Sequence, residues 1–358
     1  MRITIVGAGA MGSLIAARLS QAISTSAFPV GTQPDSETNH PTDNDSIERV
    51  LLFGRPAAHL DAIRASGLHL TERDGLTHTV PIETSSDPVA VMGSDVVIVF
   101  VKSWSSAEAM TPLRPYLTRD TVVLTLQNGL GNAAMLRTAL LEKGVRPHVW
   151  LGVTTQAAIR TEPGALIHTG DGITAIGRRR SAINTSIQQL ATTLSVPSWN
   201  TVAVDDIHRW VWRKLAVNCA INPLTALAGV PNALIASDQG LADVAIQLAS
   251  EVVAVARAQK VKIDMAEVTS AIEEVARSSG TNRSSMLVDL EHSHRTEIDA
   301  INGAVVAEGK RSGIPTPINE LMVTLVRARE HQASQTSMSA NAALDADPDA
   351  DATSTTTS

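Results

Sequence analysis

One cysteine, Cys219, in a chain of 358 residues leaves no internal disulfide to form, and no Cys/His cluster has the spacing of a zinc site. Aromatic residues make up only 3% of the sequence, too few for the stacking platforms on which single-stranded nucleic acid lies. No apolar run approaches the ~20 residues of a membrane-spanning helix. The first strand begins at Arg2, which leaves no room ahead of it for a signal peptide. These absences read as a cytoplasmic protein with no metal, membrane or nucleic-acid partner.

Positive charge is missing altogether from two stretches. Ser24 to Ser46 carries Asp35, Glu37, Asp43 and Asp45, and His331 to Ser358 carries Asp345, Asp347, Asp349 and Asp351, with no Lys or Arg in either. They hold eight negative charges against a net charge of -7, so the rest of the chain stands at +1 and attracts neither nucleic acid nor membrane. Both stretches are rich in Ser, Thr, Pro, Asn and Ala and lack sustained apolar periodicity. That composition does not offset the entropy of ordering a chain, so residues 24–46 are expected to be a disordered insertion and 331–358 a disordered acidic tail.

What is present is informative from the first residues. A buried strand (Ile3, Ile5, Val6) runs into Gly7-Ala8-Gly9-Ala10-Met11-Gly12, and a helical pattern follows from Ser13 to Gln21. This is G-x-G-x-x-G in the strand–turn–helix setting of a dinucleotide-binding turn. Gly7 permits the tight turn, Gly9 lets the backbone approach a pyrophosphate, and Gly12 lets the helix pack on the strand. The helix N-terminus then faces the phosphates. At the end of the second strand, Arg49 to Phe53, no carboxylate stands ready for a ribose 2′-hydroxyl. Arg55 follows instead, which favours NADP(H) over NAD(H).

Further strands are expected at Asp95 to Val101, Thr121 to Leu126, His148 to Thr154 and Trp199 to Val204, with helices between most of them. The 44% apolar content is ample for two cores. Such alternation predicts an α/β fold with an N-terminal Rossmann-type doubly wound sheet over residues 1–204. Gly67 to Leu70 with His78 to Ile82 reads as a hairpin, and Ala165 to Thr169 with Ile173 to Gly177 as a second antiparallel pair. From Asp206 the pattern turns helical, with stripes such as Val244, Leu248, Val252 and Val255, predicting an all-helical domain over 205–330.

Ligands of open α/β sheets lie beyond the carboxyl ends of the strands. Two strands there run into polar residues, Lys102-Ser103-Trp104 and Gln127-Asn128-Gly129. In the helical half, Lys214, Asn218 and Asn222 recur every fourth residue and stack on one helix face. Asparagine is a poor helix former, and a solvent-facing stripe would draw on Glu, Lys or Gln. Pro223 removes an N–H and crowds the carbonyl of Cys219, so the helix is expected to kink or end there. Ser284-Ser285 opens a helical run reaching Thr296-Glu297-Ile298-Asp299. Ser285 and Glu297 are twelve residues apart, ~18 Å on a straight helix, and can share a small site only if that helix breaks. Asp289, Glu291, His292 and His294 read as a solvated face.

Taken with Val101-Lys102, Lys214-Leu215-Ala216-Val217-Asn218, Asn222-Pro223-Leu224, Ser284-Ser285-Met286, Thr296-Glu297-Ile298-Asp299 and Asn302-Gly303, the glycine turn and Gln127-Asn128-Gly129 resemble the ketopantoate reductase (2-dehydropantoate 2-reductase) family in order and spacing. The resemblance implies reduction of 2-dehydropantoate to (R)-pantoate by NADPH, on the way to pantothenate and coenzyme A. It implies Lys214 as catalytic lysine and Glu297 as active-site glutamate. Substrate would be bound by Asn128, Lys214, Asn218, Asn222, Asn232 and Ser285. The cofactor would meet Gly7, Ala8, Gly9, Ala10, Met11, Gly12, Arg55, Lys102, Asn128 and Glu297. The insertion and the tail are not family features.

Chemistry matches those residue types. Hydride arriving at a keto carbon leaves an alkoxide that needs a proton, and an ammonium beside the carbonyl polarises it and then donates. Lys214 is the expected general acid. Neutral Asn and Ser donors bind a substrate carboxylate and hydroxyl without burying another charge. The partner is thus a small 2-keto acid, acted on by a monomer or homodimer. Two rivals remain: a related NAD(P)H-dependent reductase of another 2-keto acid, and a non-catalytic NADP(H)-sensing regulator, which leaves the Lys214, Asn218, Asn222 stripe unexplained.

Overall fold

A computed structural model describes residues 1–26, 46–141, 147–178, 183–278 and 280–344. Its strands are β1 (Arg2–Val6), β2 (Arg49–Phe53), β3 (Leu68–Thr71), β4 (Thr77–Val80), β5 (Glu83–Ser85), β6 (Val96–Val99), β7 (Val122–Thr125), β8 (His148–Thr154), β9 (Ala157–Glu162), β10 (Ala165–Gly170), β11 (Ile173–Gly177) and β12 (Asn200–Ala203). Its helices are α1 (Ala10–Ser26), α2 (Ala58–Ser66), α3 (Ser106–Met110), α4 (Asn132–Leu140), α5 (Thr185–Leu194), α6 (Ile207–Ala228), α7 (Leu234–Ser237), α8 (Gln239–Ala258), α9 (Met265–Ser278), α10 (Ser285–Glu291), α11 (Asn302–Ser312) and α12 (Pro317–Leu344).

Two compact units result, Met1–Lys214 and Leu215–Ser358. In the first, an eight-stranded sheet runs in the order β12-β11-β8-β7-β6-β1-β2-β5, all parallel except where β11 meets β8. Its inner strands are apolar on both faces, so successive residues enter different cores. Ile3, Ile5, Val96, Ile98 and Leu124 pack with Leu14, Ile15 and Leu19 of α1 and Ile187, Leu190 and Leu194 of α5. Val6, Val97, Val99 and Val123 pack with Met110, Leu113, Leu136 and Leu140. Burial on both faces is what a parallel sheet with helices on each side requires.

A second sheet, β4-β3-β10-β9, corrects one expectation. The β3–β4 hairpin forms, but the segments expected as an antiparallel pair, β10 and β11, do not meet. β10 pairs with β9 and β3, whereas β11 pairs with β8 and β12. The Gly170-Asp171-Gly172 corner carries the chain from one sheet to the other, and a Cβ on Gly172 would stand 2.4 Å from the carbonyl carbon of Thr155. β11 is also buried at four of its five residues, an interior strand and not half of a surface hairpin.

The second unit is helical, and Leu248, Val252 and Val255 of α8 are fully buried in it. The units divide at Lys214, beyond the expected boundary at 204, because the first turns of α6 belong to the sheet: Ile207 packs with Val153 and Ala175, and Trp210 and Val211 cover them. α6 also runs through Pro223 to Ala228 without ending. The Cys219 carbonyl that the proline deprives of its helical partner accepts a hydrogen bond from Asn302 Nδ2 at 3.2 Å instead. The expected disordered segments are shortened from the helical side. Ser24 to Ser26 complete α1, and α12 continues past residue 330 to Leu344, since neither Gly nor Pro interrupts His331 to Leu344 and alanines favour the helix. The remainder of both expectations, residues 27–45 and 345–358, lies outside the described residues. No helix among the described residues is long and apolar enough to cross a membrane.

One buried side chain makes the first unit acid-sensitive. His59 of α2 accepts the Gly164 N–H at Nδ1 (2.9 Å), so its proton sits on Nε2, 3.0 Å from Ser13 Oγ on α1. Burial, assisted by the charge of Arg160, lowers its pKa from 6.5 to about 4. Between those values the unfolded chain binds a proton that the folded chain refuses. Stability therefore falls as pH drops through that window. Urea midpoints measured along the pH series should decline less in His59→Gln than in the unaltered protein.

Candidate active site

β1, β6 and β7 are parallel neighbours in register, Val6 opposite Val99 and Val99 opposite Thr125, so the segments that follow them emerge along one sheet edge. After β1, Gly7 turns with φ +115° and donates its N–H to Phe53 O at 2.9 Å. A Cβ at Gly12 would lie 1.9 Å from the Gly7 carbonyl oxygen, so the first turn of α1 seats directly on the glycine turn. Gly9 differs. A Cβ there would meet nothing within 4 Å among the described residues, so their packing supplies no reason for glycine. A ligand drawn against the backbone would supply one.

After β7, Gln127 ties the strand ends together, donating from Nε2 to Val101 O at 2.8 Å and to Ser106 Oγ at 2.7 Å. Asn128 is half-buried and held by its carbonyl, which accepts from Asn132 Nδ2 at 2.8 Å. Its side-chain Oδ1 accepts from Lys214 Nζ at 2.8 Å, and Lys214 Nζ also donates to Thr154 O at 2.6 Å. The structure thus brings Asn128 and Lys214 together, 86 residues apart in sequence. Thr154, the last residue of β8, completes the seat. Sequence reading missed it, because a backbone carbonyl has no side-chain signature; the end of the expected strand at Thr154 was the available signal.

Arg55 follows β2 with its side chain 79% exposed, and its Nη1 lies 3.5 Å from Glu108 Oε1. An exposed pair of that length contributes little, so the guanidinium can be redirected to an anionic ligand cheaply. Lys102 is half-buried after β6, before the short helical turn Ser103–Ser105.

The second unit holds the other expected residues. On α6, Asn218 is half-buried and Asn222 buried, so the asparagine stripe is not a solvated face. Asn232 is buried, its N–H donates to Asn282 O at 3.0 Å, and its Oδ1 has no hydrogen-bond partner among the described residues. Ser284 caps α10, accepting from Leu287 N at 3.1 Å, and receives Thr225 Oγ1 at 2.8 Å; Ser285 beside it is exposed.

The helical run expected to reach Asp299 stops at Glu291. Ser293 takes φ +55°, and His294 N reaches back to Asp289 O at 2.8 Å, closing the helix end. The break that Ser285 and Glu297 require is therefore present. Asp289 is buried, unlike the exposed Glu291, His292 and His294 with which it was grouped. Glu297 is 7% exposed, and its loop is moored to α12. Thr296 N donates to Glu330 Oε1 at 2.6 Å. Asp299 is bound by Arg327 (Nη2 at 2.6 Å) and Arg295 (3.1 Å). Burial pushes its carboxyl up, but those two guanidiniums outweigh it and hold the pKa below the usual range.

Residues 3–181 match the family model described as ketopantoate reductase PanE/ApbA, and residues 206–330 match the model of that family's C-terminal part. A 2-dehydropantoate 2-reductase of Halobacterium salinarum is 34% identical over 91% of this chain and 98% of its own. Among solved structures, the PanE/ApbA family ketopantoate reductase of Ralstonia eutropha is 32% identical with a TM-score of 0.77, covering 93% of this chain and 100% of its own. A D-mandelate dehydrogenase solved with NADH and anilino(oxo)acetate is 26% identical with a TM-score of 0.80, over 93% of this chain and 100% of its own.

Proposed function

The chain belongs to the ketopantoate reductase family, and from that premise we propose that it is a cytoplasmic enzyme reducing 2-dehydropantoate to (R)-pantoate with NADPH, toward pantothenate and coenzyme A. The observation that carries this reading is the seat of Lys214, whose ammonium is fixed by Asn128 Oδ1 and Thr154 O at the carboxyl ends of β7 and β8. Lysine is protonated at neutral pH, and this ammonium donates to two neutral acceptors that fix where it points. Lys214 polarises the keto oxygen and donates the proton that the resulting alkoxide needs.

The other residues bind and orient. Asn218, Asn222 and Ser285 offer neutral donors to the substrate's carboxylate and hydroxyl. The buried Oδ1 of Asn232, which has no partner among the described residues, accepts a hydrogen bond from a substrate hydroxyl. Glu297 holds the reacting groups in place through its carboxylate.

The glycine turn fits a dinucleotide. The space at Gly9, the N-terminus of α1 and the backbone from Gly7 to Gly12 form a cradle for a pyrophosphate. Lys102 and Asn128 stand on the same sheet edge. When bound there, NADPH supplies the hydride. Arg55 takes the 2′-phosphate, since the loop after β2 offers a guanidinium and no carboxylate of its own. The NADH in the mandelate dehydrogenase structure makes NADH the second reading. Arg55→Ala decides between them: the Kd for NADPH should rise about 10- to 100-fold, the worth of hydrogen bonds to a charged group, with little change for NADH. Equal effects on both would remove the 2′-phosphate assignment.

The test of function is turnover on 2-dehydropantoate beside pyruvate and other branched 2-keto acids, with NADPH and NADH. Preference for 2-dehydropantoate supports the reading. Preference for another acid transfers the mechanism to that substrate, and NADPH binding without turnover on any of them supports a regulator.

A further inference from the structure

The first unit contains a buried polar chain that the reaction as described does not use. Arg18 of α1 forms a fork with Glu72, to Oε1 at 2.5 Å and Oε2 at 2.7 Å. Its Nη2 also lies 3.1 Å from Nδ1 of His168 on β10, a side chain only 2% exposed. A guanidinium only donates, so Nδ1 is the acceptor and the ring proton sits on Nε2. That proton points at Gln156 Oε1, 3.0 Å away, with Gly170 O at 3.1 Å. The other charged groups facing the ring are Glu72 Oε2 at 3.4 Å and Asp171 Oδ1 at 3.7 Å.

The tautomer fixes the next link. With Oε1 turned to His168, Gln156 directs its Nε2 to two carbonyls, Gly172 O at 3.0 Å and Ser198 O at 3.2 Å. Gln156 is buried and stands two residues beyond Thr154. Its backbone N–H donates to Thr154 Oγ1 at 3.2 Å, which also receives Thr174 Oγ1 at 3.0 Å. The last carbonyl of a strand ordinarily swings with the loop that follows. Here the loop is bolted to β10, to the Gly172 corner and to the segment before β12, and the carbonyl it steadies is the one that holds Lys214 Nζ.

We propose that Gln156, oriented by His168 and Arg18, is a positioning residue for Lys214: it clamps the end of β8 so that the Thr154 carbonyl aims the ammonium. The inference rests on Lys214 being the proton donor. It uses no contact with substrate or cofactor, so its signature is a loss in kcat without a loss in binding.

The test compares Gln156→Ala, Thr174→Val and Thr174→Ser in the full chain. kcat, the KM for 2-dehydropantoate and the Kd for NADPH are measured, with the titration of Lys214 read by NMR on protein carrying isotope-labelled lysine and assigned with Lys214→Ala. Gln156→Ala should lose about 10- to 100-fold in kcat, the cost of misplacing a reacting group by an ångström or less. KM and Kd should stay within about twofold, and the Lys214 titration and the alkaline limb of the kcat profile should shift together. Thr174→Val, nearly isosteric, should show a smaller loss of the same kind, and Thr174→Ser, which keeps the hydroxyl, should restore kcat. Unchanged kcat and Lys214 titration in folded Gln156→Ala and Thr174→Val would overturn the clamp, as would a fall in Tm alone. If Gln156→Ala does not fold, the Thr174 pair decides. Turnover retained by Lys214→Ala overturns the proton-donor reading instead, and the titration still decides the clamp.

Discussion

Lys214→Ala should lower kcat on 2-dehydropantoate by about 10²- to 10⁴-fold, the range that a positioned proton donor contributes. On the proposed mechanism the alkoxide formed at the keto carbon would lose its proton donor, and the carbonyl would lose the charge that polarises it beforehand. NADPH affinity should change little. Stability should change little as well, because the ammonium is half-buried and not enclosed, so the acceptors it leaves, among them Asn128 Oδ1 and Thr154 O, can turn to water. Lys214→Arg should not restore the rate: a guanidinium keeps the charge, but its proton is held too tightly to be given up near neutrality and its planar fork does not fit the Asn128 and Thr154 seat. Steady-state NADPH oxidation checks both variants. A kcat within about tenfold of the unaltered enzyme for Lys214→Ala would move the acid elsewhere, with Glu297 the next candidate.

The second large effect separates folding from ligand binding within one turn. Gly12→Ala places a Cβ 1.9 Å from the Gly7 carbonyl oxygen, a backbone atom of a turn already committed to φ +115° and to a hydrogen bond with Phe53. No rotamer relieves that overlap, so the turn or α1 must move. The expected cost is about 3 kcal/mol, a fall in Tm of roughly 6 to 12 °C, together with loss of NADPH binding. Gly9→Ala is the counterpart. Its Cβ meets nothing within 4 Å among the described residues and its φ is not in the left-handed region, so thermal stability should hold while NADPH Kd rises at least about tenfold through contact with the pyrophosphate. Thermal melts and NADPH fluorescence titrations measure both. If Gly9→Ala binds NADPH as tightly as the unaltered protein, the pyrophosphate does not lie on this backbone and the cradle assignment fails.

The residues proposed for this site differ in how far the sequence alone singles them out. Gly7, Gly9 and Gly12 carry their signal in the residue type itself, because a positive φ or a missing Cβ is a demand that few residues meet. Lys214, Asn218 and Asn222 show theirs in spacing, since every fourth residue shares a helix face whatever the helix packs on. Thr154 and Gln156 show neither. One acts through a carbonyl common to all residues, and the other through partners at 168, 172 and 198 that no local pattern connects to it.

The same division holds for the fold. Short apolar runs that form the buried strands, the turn to helical periodicity from Asp206 and the glycine turn were determined by sequence alone, because each depends on residues within a few positions of one another. Only the tertiary structure decided that β10 and β11 part into different sheets, since the choice rests on β3, β9, β8 and β12 elsewhere in the chain. It alone decided that α6 survives Pro223. A proline's local cost is legible in sequence, but the compensating hydrogen bond comes from Asn302, 83 residues on.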